Sequence, residues 1–150
     1  TLKDIKIKII TSQEISNQIN NENVEVIYGS WHNSALTDQD LKRYYENAIL
    51  TFIPLKETFQ PSGQSVALQS MSLGIPVVIT ETKGFWDKEK FNHLDNIVFV
   101  NDNSIDNWNL LLSSLPRNKD LLSKLSKNSK KTVQKYYDQN DFFTKMEELI

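Results

Sequence analysis

The chain of 150 residues contains no cysteine, only four glycines and four prolines, and two histidines. Without cysteine, disulfides and thiolate metal sites are excluded, and the composition is compatible with a reducing compartment. His32 and His93 each lack a second histidine or carboxylate at ligand spacing, so no bound metal is expected. No apolar run approaches the length of a membrane span, and residues 1–8 alternate charge with isoleucine instead of forming a signal peptide. Lys and Arg number 17 against 19 Asp and Glu, for a net charge of −2. These cations are scattered, with no basic stripe interleaved by aromatics, which makes nucleic acid a poor partner. No G-x-G-x-x-G follows any strand, which argues against dinucleotide oxidoreduction. What remains is a soluble, cytoplasmic piece, of a length that suits one domain with its own core.

The residues that are present fall into alternating strand and helix patterns. Ile5, Ile7 and Ile9 alternate with lysines, the period-two pattern of a strand with one wet face near a sheet edge. Residues 24–28 read as a second strand ending at Gly29. Thr37, Asp38 and Asp40 then open a helix whose Leu41, Tyr44, Tyr45 and Ala48 share one face. Residues 49–54, 76–80 and 96–100 are mostly unbroken apolar runs rich in β-branched residues, as in strands buried on both faces. After the last of them, three apolar stripes predict packing helices: Ile105, Trp108, Leu111, Leu112 and Leu115; Leu121, Leu122 and Leu125; and Phe142, Phe143, Met146 and Leu149. Lys124, Lys127, Lys130, Lys131 and Lys135 decorate the middle one and are read as a solvated face in preference to a membrane-surface patch. Alternating strands and helices predict βαβ units, a parallel sheet and ligand binding beyond the carboxyl ends of the strands.

The most informative stretch is residues 60–65, Gln-Pro-Ser-Gly-Gln-Ser, which continues through Leu68-Gln69-Ser70-Met71-Ser72-Leu73-Gly74 into Pro76-Val77-Val78-Ile79-Thr80. It reads as loop, helix, strand. Ser62 and Gly63 stand where the helix begins, so unpaired backbone N–H groups and the positive end of the helix dipole would face an occupant of the loop. Gly74 closes the helix and Pro76 forbids its continuation. An ordinary capped helix after a turn accounts for the same local residues.

Residues 68–78, Leu-Gln-Ser-Met-Ser-Leu-Gly-Ile-Pro-Val-Val, resemble the L-E-A-M-A-x-G-x-P-V-V signature of retaining GT-B glycosyltransferases, family four (group 1) especially. Gly29, the helix around Tyr44 to Ala48, the strand ending at Pro54, Thr82-Lys83-Gly84 and residues 96–100 match in order, so the resemblance covers nearly the whole chain. It implies an α/β fold: a Rossmann-like parallel sheet flanked by helices, the C-terminal half of a GT-B fold, with C-terminal packing helices. It further implies a single donor-binding domain over residues 1–150. The start at Thr1, with a strand pattern already under way at Asp4, is then read as a fragment lacking an N-terminal acceptor domain and inactive alone. The donor would be a nucleotide diphosphate sugar and the acceptor a glycan or lipid-linked species met through the missing domain. Surface polysaccharide synthesis, peripheral membrane contact of the full-length protein, and independence of metal and cofactor also follow from the resemblance.

The donor-binding residues implied are Gly29, Gln60, Ser62, Gly63, Gln64, Ser65 and Gln69. The turn at residues 62–65 would meet the diphosphate through its N–H groups, with Gly63 chosen because a missing side chain permits close approach. Gln69 stands where the family's E-x7-E pattern has its second glutamate, which holds ribose hydroxyls; a neutral amide keeps donor and acceptor capacity but bonds less strongly than a carboxylate. The first glutamate falls at Pro61, which cannot take that role, and Glu57 and Gln60 are the nearest substitutes, a solvent-facing Glu57 being the simpler fate. Gly29 would lie beside the base with Tyr28, Ser30 and Trp31 flanking it, although a turn glycine explains it equally well. Lys83 is read as a surface lysine within reach of the donor, and Phe85 and Trp86 as packing the loop or meeting the missing domain. The competing readings are a GT-B nucleotide-sugar epimerase, a non-catalytic α/β binding module and an inactive relative. A receiver is disfavoured because the strands end in Tyr28, Pro54, Thr80 and Asn101 instead of carboxylates.

Overall fold

The computed structural model describes residues 5–13, 15, 19–29 and 36–138. The stripe at Phe142 to Leu149, together with Ser30, Trp31 and His32, lies outside them. Two compact units are present, residues 1–44 and 45–150.

In the first unit, β1 (Ile7–Thr11) pairs in parallel with β2 (Val24–Tyr28), Ile7 opposite Val24 through Thr11 opposite Tyr28. Along β1 the isoleucines at 7 and 9 are half-buried and Lys8 between them is exposed, as the period-two pattern requires. Helix α1 (Asp38–Glu46) begins in a capping box: Thr37 Oγ1 accepts from the Asp40 N–H at 3.2 Å, while the Asp40 carboxylate accepts from Thr37 N at 3.0 Å.

The second unit is a three-stranded parallel sheet, β3 (Thr51–Ile53), β4 (Val77–Thr80) and β5 (Val98–Val100), with β4 in the centre. The register places Phe52, Val78 and Val98 in one row and Ile53, Ile79 and Phe99 in the next. Because side chains alternate between faces, that register creates two cores. Ile53, Val77, Ile79, Ile97 and Phe99 meet Ala67 and Met71 of α2 (Gln64–Ser72) together with Phe91. Val78, Val98 and Val100 meet Leu115 and Leu125 on the opposite face, with Phe52 and Trp108 packed alongside. Helices α3 (Ile105–Ser114) and α4 (Lys119–Tyr136) supply that second layer, and α4 is long enough to bring Val133 and Tyr137 to the first core as well. Helices thus cover both faces of the sheet, the α/β arrangement expected from the sequence. Among the described residues the strands pair β1 with β2 and β3 through β5, in parallel throughout.

Chain reversals explain where α2 stops. Gly74, at φ +76°, donates to Met71 O at 2.9 Å and Ile75 N donates to Ser70 O at 3.0 Å, the paired bonds of a Schellman motif. At the far end of α2, Gly63 adopts φ +70° and opens the helix with no side-chain cap.

Candidate functional site

The carboxyl ends of β3 and β4 lead into residues 54–63 and 81–87, and α2 starts between these two segments in sequence. The first turn of α2 begins at Gln64 behind a glycine N-cap, so no side chain satisfies its leading amides. Ala67 N already donates to Gly63 O. Among the described residues nothing accepts from the N–H groups of Gln64, Ser65 and Val66, which leaves three donors and the positive helix end to a ligand or to water.

The side chains around that turn divide into two groups. Ser65 and Gln69 lie one turn apart on the exposed face of α2, and Gln60 is also exposed. Ser62 is half-buried; neither its hydroxyl nor that of Ser65 has a partner among the described residues. Gln69 Oε1 accepts a long bond of 3.4 Å from the Tyr45 hydroxyl, whose pKa is raised by burial, so the phenol stays a neutral donor. Gln64 differs from what the sequence suggested. Its side chain is 5 % exposed and turned away from the open turn, with Nε2 donating to Trp86 O and Oε1 accepting from Trp86 N, both at 3.3 Å. Only its backbone N–H remains available to a ligand.

Gly63 also carries a different physical reason from the one its sequence suggested. A Cβ built there would lie 2.7 Å from Ile53 Cγ2 and 3.3 Å from Leu55 Cδ1. The bare face of this glycine therefore meets the end of β3 and the core, and the residue is required by its left-handed backbone and that packing. Glu57 is exposed, yet its Oε1 accepts from Lys83 N at 3.0 Å, which ties the two segments together. Gly84 N donates to Thr58 O at 2.8 Å, and a Cβ at Gly84 would collide with the Gln60 carbonyl. Of the two neighbouring aromatics, Phe85 packs edge-on against Phe91 and Phe99 at 5.3 and 5.0 Å, whereas Trp86 stays 55 % exposed.

A residue that the sequence reading passed over organises the same edge of the sheet. Asn103, just after β5, donates to Leu55 O at 2.9 Å and accepts from Thr80 Oγ1 at 3.2 Å and from Trp108 Nε1 at 2.7 Å. Thr80 Oγ1 in turn accepts from Leu55 N at 2.9 Å. One amide thereby fixes the exits of all three strands. Its only sequence signal is an asparagine three residues past the end of an apolar strand.

Gly29 belongs to the first unit, where its N–H donates to Thr11 O at 2.9 Å and Leu36 Cδ1 occupies the space that a Cβ would need. His93 is spent internally, its Nδ1 accepting from Phe99 N at 3.0 Å. No group of three or more histidines, aspartates and glutamates able to hold a metal exists among the described residues. A depression of about 310 Å³ lies between residues 89–96 and α4, but the Asn96 amide at its floor already bonds Lys90 O, Thr132 Oγ1 and Asn92 N.

No protein-family model matches the chain, and no curated protein matches it. Solved structures do. The chain is similar over 85 % of its length to the HepE protein of Anabaena, solved in complex with UDP-glucose, at 13 % identity and a TM-score of 0.64. Over 79 % of its length it is similar to the C-terminal domain of LpcC, a glycosyl transferase group 1 family protein of Francisella tularensis, at 17 % identity and a TM-score of 0.57. It spans 32 % of the first of those chains and 56 % of the second. At such identities the likeness establishes the fold alone, an α/β arrangement of parallel strands and flanking helices shared with that C-terminal domain.

Proposed function

We propose that this chain is the nucleotide-sugar-binding part of a retaining, family-four-type glycosyltransferase that moves a hexosyl unit to a glycan or lipid-linked acceptor in the cytoplasm, in surface polysaccharide synthesis. The observation that carries the reading is the uncapped first turn of α2, with three N–H groups lacking partners among the described residues, in a chain sharing its fold with a protein solved with UDP-glucose. Breaking a sugar–phosphate bond adds negative charge to the departing diphosphate. Fixed N–H groups that bind that charge more strongly as it grows lower the barrier, since only the difference between ground and transition state counts. Gln60, Ser62, Ser65 and Gln69 would surround the donor, and Gln64 would contribute its main chain. Acceptor binding, and any contact with a membrane, belong in this reading to a further domain, and these residues alone are inactive.

The test is a titration of the full-length protein and of residues 1–150 with UDP, GDP and ADP forms of common sugars, following backbone amide signals. Shifts concentrated at residues 62–66 are expected. A full-length protein that responds to none of them, or responds elsewhere, removes the reading.

One observation favours an inactive relative that still binds nucleotide. Pro61 and Gln69 stand where the resembling family carries carboxylates, and Gln69 already shares its carbonyl with Tyr45. Replacing Gln69→Glu puts an ionised acceptor at the expected ribose contact. Charge-assisted bonds are roughly twice as strong as neutral ones, so nucleotide affinity should rise by about three- to tenfold. Unchanged affinity would mean that this side chain does not face the ribose.

A further inference from the structure

We propose that Gln64 is a positioning residue that fixes residues 82–87 as the second wall of the site, and that the wall presents Lys83 as the cation for the ligand's phosphates. The inference rests on the nucleotide-diphosphate reading above and gives roles to Lys83 and to the Gln64 side chain, which that reading leaves unassigned.

Gln64 is the first residue of α2 and its amide is buried at 5 % exposure. It grips both polar groups of the Trp86 peptide, as a neighbouring strand would. A single-point contact lets a loop swing about the bond; a two-point contact fixes its orientation as well. Glu57 and Thr58 hold the same loop at Lys83 N and Gly84 N, and the Gln60 carbonyl fits against the bare Cα of Gly84. The segment is thus fastened along its length to the strand end and to the helix start.

That anchoring leaves the Lys83 side chain directed outward. Its Nζ lies 5.3 Å from the centre of the Phe59 ring, which is 80 % exposed. Lys8, Lys88, Lys90 and Lys124 each pair with a carboxylate; Lys83 has none among the described residues. A cation held over a ring face keeps its charge uncompensated and gives up part of its hydration. Because the segment that carries Lys83 is tied through Trp86 to the first residue of α2, where the N–H groups are open, the arrangement suits two adjacent phosphates, one at the main chain and one at the ammonium.

The experiment compares UDP and UMP binding by the full-length wild type, Lys83→Gln and Gln64→Leu, together with hydrogen exchange at the Trp86 amide. Lys83→Gln, an exposed change that leaves the fold intact, should weaken UDP by about tenfold and UMP by clearly less. Gln64→Leu should free the Trp86 amide to exchange and narrow the UDP-over-UMP preference in the same way, whereas Gln64→Glu, which keeps the acceptor for Trp86 N, should recover part of it. A purely structural Gln64 would lower the melting temperature and leave that preference untouched. UDP affinity within about twofold of wild type in Lys83→Gln overturns the assignment of the cation. Unchanged preference in Gln64→Leu despite a freed Trp86 amide overturns the positioning role. Wild type that binds no nucleotide overturns the parent reading and this one together.

Discussion

Gly63 holds a left-handed backbone, φ +70°, at the start of α2. Its place before an apolar helix marks it as a turn glycine, but nothing in one dimension says on which side its missing Cβ would lie. In space that side faces Ile53 and Leu55. Gly63→Ala therefore meets two penalties: about 1–2 kcal/mol for an L-residue in the left-handed region, and about 1–3 kcal/mol for overpacking against the end of β3. Urea denaturation should show a loss of that combined size, and a loss below about 0.5 kcal/mol would mean that the loop relaxes freely. A valine at this position is a poor probe of phosphate binding for the same reason, since any lost binding would follow from lost folding. Gln64 is the complementary case. Its polarity and position at a helix start were legible, but the partner that its amide takes, 22 residues away, was not.

At the scale of elements the sequence was most informative where a period was long or a cap was chemical. The strands at 77–80 and 98–100 lie inside their predicted apolar runs, and the stop of α2 lies where Gly74 and Pro76 put it. Boundaries of β3 and β5 are shorter than their apolar runs because Leu50 and Ile97 pack in the cores without extending the strand pairing. What no period encodes is contact between loops: the Asn103 bonds to Leu55 and Thr80 and the Glu57 bond to Lys83 join residues 23 to 48 apart through single polar atoms. Caps are the easier class, because their partners are local. Asn118 Oδ1 accepts from Leu121 N at 3.1 Å and opens α4, the helix that serves both cores. Asn118→Ala should cost about 1 kcal/mol, read as a shift of the urea midpoint with unchanged slope. A change in slope would show instead that the cap affects how much structure unfolds together.

At the scale of the whole molecule, the fold depends on fastening the stretch after β4 to the end of α4, and a small ionisable cluster does so across 50 residues. Asp87 Oδ2 accepts from Lys90 Nζ at 2.7 Å and from the Tyr137 hydroxyl at 3.2 Å, while Phe91 stacks on Tyr137. The Lys90 bond holds the Asp87 carboxyl below its ordinary range, and burial, followed by the Asp87 charge, pushes the Tyr137 phenol far up. The two groups act on opposite limbs of the stability curve. Asp87 is lowered in the folded state, so its contribution is present above the ordinary aspartate value near about 4 and is lost as pH falls through the folded one. Tyr137 is raised, so its contribution is complete below about pH 10 and is lost as pH climbs toward the folded value. Denaturation midpoints across pH should therefore fall at both ends for the wild type. Tyr137→Phe should flatten the alkaline limb and leave the acid one in place. Asp87→Asn should flatten the acid limb and soften the alkaline one too, because the carboxylate also helps to keep the phenol protonated. If Asp87→Asn moved only the plateau and left both limbs as steep as before, the cluster would be a packing contact and its charges would not couple the stretch after β4 to the end of α4.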